Sequence, residues 1–121
     1  MGDNNYISYQ EDNGSINISE EVVLAIVRNA AVEVEGVASL STTAGAELAE
    51  MIGLKSIPKG VTIRFEDNRI ITDLIINVSY GSNVVNVAKE VQKAVKSVIQ
   101  DTTGFEDAEV NVHVDGISFD R

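Results

Sequence analysis

The chain is 121 residues long, contains no cysteine, and carries 19 acidic against 9 basic residues, a formal net charge of -10. One domain of this length can bury a core without metal or disulfide support, and the missing thiols exclude a disulfide frame, a thiolate zinc site and thiol redox chemistry. The charge opposes binding to phosphate backbones and anionic headgroups, no stretch approaches the roughly 20 apolar residues of a membrane span, and the polar start lacks the basic and apolar regions of a secretion signal, so a cytoplasmic protein with no nucleic-acid partner and no direct membrane insertion is expected.

In chain order, residues 1–13 are polar, Asn-rich and acidic and read as a flexible N-terminal tail. Residues 14–121 form the domain. Residues 15–18 can make a short strand with Ile16 and Ile18 inward, and Ser19 is a good N-cap, followed by Glu20 and Glu21 where the helix dipole favours negative charge. The helix is expected to reach about Glu35 with Val23, Ile26, Val27, Ala30, Ala31 and Val34 as its apolar stripe, stopped by Gly36 before a second short strand at 37–40. Residues 41–60 hold the only proline and three glycines, and read as a mobile connection with room for a short helix at 46–52.

Val61, Ile63 and Phe65 then alternate with Thr62 and Arg64 as a third strand, and Asp67-Asn68 suits a two-residue hairpin turn into a long strand at 70–80. In that strand Leu74, Ile76, Val78 and Tyr80 share one face while Asp73, Asn77 and Ser79 share the other, with Ile75 interrupting the polar side. Gly81 frees the turn and Ser82 or Asn83 can cap a second helix. Its Val84, Val87, Ala88, Val91, Ala94, Val95, Val98 and Ile99 fill an arc of roughly 140°, with Lys89, Lys93 and Lys96 opposite. Gly104 is placed to end it, and Val110, Val112 and Val114 alternate with Asn111 and His113 in a last strand. The fold class is therefore α+β in the order β-α-β-β-β-α-β, a mixed or antiparallel sheet with two long helices on one face.

The segments VEVEGVASL, KGVTI, the block from Asp73 to Gly104 and the closing VNVHVDGISF resemble the alkaline-shock, or general-stress, family of bacterial envelope stress proteins. The most diagnostic pieces are Glu35-Gly36-Val37-Ala38, Tyr80-Gly81, Val91-Gln92 with Val95-Lys96, Thr103-Gly104, and Val110-Asn111-Val112 with Val114 and Gly116. The resemblance implies a cytoplasmic, non-enzymatic protein with no cofactor, in some members held near the inner membrane surface by a membrane-anchored partner and in other branches linked to control of fatty-acid synthesis. It supports a protein-interaction module; a regulatory binder of a lipid-synthesis enzyme is the alternative, and an uncharacterised enzyme a third.

Candidate chemistry is sparse. His113, the sole histidine, could work as an acid or base beside a carboxylate such as Asp73, against the plainer reading of a solvent-facing strand residue. Glu106, Asp107 and Glu109 lack the oxygen spacing and glycine of a calcium loop and read as a solvated loop. No phosphate-cradling glycine loop, nucleophile elbow or GxxG loop occurs. Lys89, Gln92, Lys93 and Lys96 remain: a local cation in an acidic protein, which is either the solvated side of an amphipathic helix or a docking face for an acidic partner, a second copy included.

Overall fold

The computed structural model describes residues 6–40, 60–66 and 69–119. The expected connection at 41–60, its short helix at 46–52 and the Asp67-Asn68 turn fall, apart from Gly60, outside them.

The N-terminal expectation needs correction. Residues 6–13 are no tail: β1 (Tyr6–Glu11) pairs antiparallel with β2 (Gly14–Ser19) in a two-stranded sheet, from Tyr6 opposite Ser19 to Glu11 opposite Gly14. Its polar composition concealed it, because much of this hairpin faces solvent and cross-strand backbone bonds leave no mark on hydropathy. The expected order thus gains one strand at its start.

Ser19 caps α1 (Glu20–Val32), its hydroxyl accepting from the Glu21 amide at 3.1 Å. The helix stops three residues before Glu35. Turns at Val34 and Val37 carry the chain through Gly36 into β3 (Val37–Leu40). The helix's buried face is Val23, Leu24, Val27 and Ala31; Leu24 lies inside and Ile26 and Ala30 only partly so, a small rotation from the expected stripe.

β4 (Val61–Glu66) pairs antiparallel with β5 (Arg69–Ser79), and β5 pairs in parallel with β6 (Ala108–Ser118). β3 pairs with Ile76 to Val78 and β4 with Arg69 to Leu74, while β6 runs along Ile70 to Ser79. A strand has two edges, which requires β3 and β4 to lie end to end on one side of β5 and β6 on the other. The sheet is mixed, with β5 at its centre.

The parallel β5–β6 pair is joined by α2 (Val84–Thr103) as the crossover. Asn83 caps this helix through a 3.0 Å bond from the Asn86 amide, and Gly104 closes it in the left-handed conformation, its amide bonded to Gln100. Val87, Val91, Val95 and Ile99 form one cluster with the α1 stripe and with Ile70, Leu74, Ile76 and Val78 of β5, placing both helices on one face as expected. α1 packs against α2 as well as the sheet, so the arc it buries is set by two neighbours. Ile71 and Ile75 are buried on the reverse face.

Candidate interaction surface

α2 is tied to β6 and to the segment leading into it through two side-chain amides. Gln92 donates to the Val110 carbonyl at 3.1 Å and Gln100 to the Glu106 carbonyl at 2.9 Å. As α2 advances eight residues, about 12 Å, the facing chain moves back from Val110 to Glu106, so α2 and β6 run antiparallel. This fixes which side of α2 faces β6. Val85, Lys89, Gln92 and Lys96, spaced by four, three and four, form one row along that side.

Lys93 does not belong to that row. It pairs with Glu90 at 3.5 Å and, with Glu35, Asn86 and Ser97, lines a groove between α2 and the exit of α1. The expected single lysine face is therefore split. Lys89 and Lys96 flank Gln92 on the β6 side and make no ion pair among the described residues, whereas Lys93 lies toward α1 with its own carboxylate. All three are exposed. Gln92 has a structural duty that its polarity alone did not disclose: it covers a main-chain carbonyl of β6, the strand paired only with β5 among the described residues.

The reverse face of the sheet carries the second candidate group. Asp73, 4% exposed, lies opposite Asn111 and diagonal to both Arg64 and His113. Asn111 donates to its Oδ1 at 3.1 Å and Arg64 Nη2 to its Oδ2 at 3.4 Å; His113 Nε2 stands 3.8 Å from Oδ1, beyond hydrogen-bond reach. The structure does bring His113 and Asp73 together. Both carboxylate oxygens are engaged, however, and the group stitches β4, β5 and β6 together as a buried charge neutralised by Arg64. Arg69 holds Asp107 at 3.3 Å and Glu109 at 3.0 Å, so these two carboxylates serve a cross-strand ion pair. Glu106 is exposed.

Two features were missed by sequence reasoning. A bulge lies where Ile76 pairs with Val114 but Asn77 pairs with Gly116, which leaves Asp115 as the extra residue. It returns Ile117, opposite Val78, to the helix side of the sheet along with Val114. Beyond β6, the Phe119 ring lies 4.9 Å from that of Tyr80. The run Val114, Ile117, Phe119 has a spacing that a strict period of two does not recognise.

Among known proteins, the model of the alkaline-shock protein family, with its cell envelope-related function, matches residues 8–119. The chain is 30% identical to YqhY of Bacillus subtilis (strain 168) over 123 residues, covering 99% of this chain and 91% of that protein. It is 35% identical to Spy1535 of Streptococcus pyogenes serotype M6 over 105 residues, covering 86% and 79%. Among solved structures, a variant of MamM-CTD superposes with a TM-score of 0.50 at 18% identity, covering 82% of this chain and 95% of that one, a likeness of fold.

Proposed function

We propose a non-catalytic role carried out through protein contacts, from the premise that this chain belongs to the alkaline-shock family, with its cell envelope-related function. The supporting observation is the pair Lys89 and Lys96. In a chain of net charge -10 these two cations stand on the β6 side of α2 and make no ion pair among the described residues. Burial does not account for them, and a partner with an acidic surface would. The Asp73 group favours the same reading, since its carboxylate already has both oxygens engaged in holding strands together. No helix among the described residues is long and apolar enough to cross a membrane. Work at the envelope would then run through another protein, with this chain on the cytoplasmic side.

The test compares wild type with Lys89→Glu/Lys96→Glu in affinity purification from the native host with quantitative identification of partners. The double reversal should weaken capture of an acidic partner by about 1–3 kcal/mol, and the wild-type contact should loosen as salt rises. Lys93→Glu, whose lysine faces α1, should have the smaller effect. An unchanged partner set in the double variant returns these lysines to a solvated face.

A further inference from the structure

α1 and α2 leave a trough open between them, on the flank of α2 turned away from β6. Glu35 and Asn83 stand at one end of it, Ala30 and Asp101 at the other. Val34, Ala94 and Ser97 line both halves, so the trough is continuous. The exit of α1 lies beside the start of α2, the two helices therefore run antiparallel, and the run from Asn83 to Asp101 is about 27 Å long. The halves enclose about 970 Å³ and about 330 Å³, room for a row of side chains rather than for one ion. The floor is apolar and mostly small, made by Ala30, Val34, Ala94 and Val98. Its rim is acidic: Glu33, Glu35, Glu90 and Asp101 are exposed along it, and the lining holds a single cation, Lys93, 3.5 Å from Glu90.

We infer that this trough takes a basic amphipathic helix of a partner protein, with its apolar seam on the floor and its lysines or arginines against the rim. Four carboxylates facing one ammonium along a concave surface focus a negative potential there, and charge complementarity selects a cationic occupant. Among the described residues no three carboxylate or imidazole groups converge to hold a metal ion, so the positive charge has to be spread along the trough, as it is on a peptide. An apolar floor of this length between two helices suits about five turns of a third, and its small side chains let that helix approach closely. Nucleic acid and anionic lipid headgroups would be repelled by the rim. A second copy fits poorly, because the apolar arc of its own α2, the helix that carries Lys89 and Lys96, is buried in its core. The trough and the Lys89–Lys96 row stand on opposite flanks of α2, so the inference is separate from the acidic-partner reading: the chain would join two partners of opposite charge.

The experiment is fluorescence anisotropy at physiological salt, in which the full chain is titrated into a labelled amphipathic peptide of leucine and lysine about 18 residues long, with a leucine–glutamate peptide as its counterpart. Wild type should bind the lysine peptide saturably at one site and leave the glutamate peptide unbound. Glu35→Gln/Glu90→Gln should raise Kd about fivefold or more, whereas Glu11→Gln/Asp12→Asn, an equal loss of charge on the hairpin before α1, should change it less than about twofold. Ser97→Trp fills the exposed middle of the trough and should abolish binding with the thermal melt unchanged. Wild type without saturable binding overturns the inference. Equal losses in the two charge-neutralised pairs also overturn it, since the contact would then read net charge alone, and so does full binding by Ser97→Trp. A wild type that self-associates, and is dissociated both by the trough substitutions and by Lys89→Glu/Lys96→Glu, overturns it in favour of a second copy.

Discussion

Replacing Gly36 by alanine places one methyl group where α1's exit passes under α2. An ideal Cβ at this position would lie 2.6 Å from Val87 Cγ2 and 3.3 Å from Ser82 Oγ, and the backbone holds φ at +101°, outside the region that side chains favour. The conformation alone costs about 1–2 kcal/mol. The overlap with Val87, a buried side chain in the core cluster, adds about 1–3 kcal/mol because neighbours must shift in a packed interior. Gly36→Ala should therefore destabilise by about 2–5 kcal/mol, and a loss of ~3 kcal/mol lowers the melting temperature by roughly 10 °C in a chain of this size. Val87→Ala supplies the control. It removes two buried methyl groups and should cost about 2–3 kcal/mol through lost burial and the cavity left behind. In the double variant the overlap vanishes and the new methyl partly fills the cavity, while the φ strain remains. The combined loss should fall short of the sum of the singles by at least ~1 kcal/mol. Urea unfolding followed by far-ultraviolet circular dichroism measures all four species, with an unchanged slope required for the comparison. Additive losses, or a Gly36→Ala change within ~0.5 kcal/mol of wild type, would refute this account of the α1–α2 crossing.

Thr72 is fully buried in the central strand, and its hydroxyl finds no hydrogen-bond partner among the described residues. Thr72→Val keeps the shape and removes the orphaned group, so it should stabilise by about 1 kcal/mol, read as a higher urea midpoint; a lower midpoint would show that the hydroxyl has a partner in solution. Val91 is fully buried at the middle of α2, while Lys93 is exposed. Val91→Asp should cost several kcal/mol or prevent folding, and Lys93→Asp about 0.5 kcal/mol or less, apart from its weak pair with Glu90. Equal melting losses would mean that the helix is wrongly phased.

The elements themselves were legible because their signals are local. Alternation in β5, the apolar arc of α2, and the caps at Ser19, Asn83 and Gly104 depend only on residues within one or two turns or strand steps, and the structure places each element as expected, although β5 is buried on both faces where its alternation predicted one. The family resemblance was also carried by such residues, and its Glu35-Gly36-Val37-Ala38 piece has a physical reason in the crossing just described. Even where the local signal existed it could be outweighed: Tyr6 to Glu11 alternates weakly and ends at a turn, but its polarity read as a tail, and only pairing with β2 makes it a strand. What tertiary structure decided was which neighbour each face meets. A helical wheel puts Lys89, Lys93 and Lys96 opposite the core, yet it carries no information on whether β6 lies to one side or the other. The Gln92 to Val110 contact supplies that direction and separates Lys93 from the other two. Likewise Asp73 meets Arg64, Asn111 and His113 through the register of three strands, and the bulge at Asp115 brings Val114 and Ile117 to the same side. Periodicity fixes orientation about one element's own axis; register and crossover direction arise only when elements remote in the chain pack together.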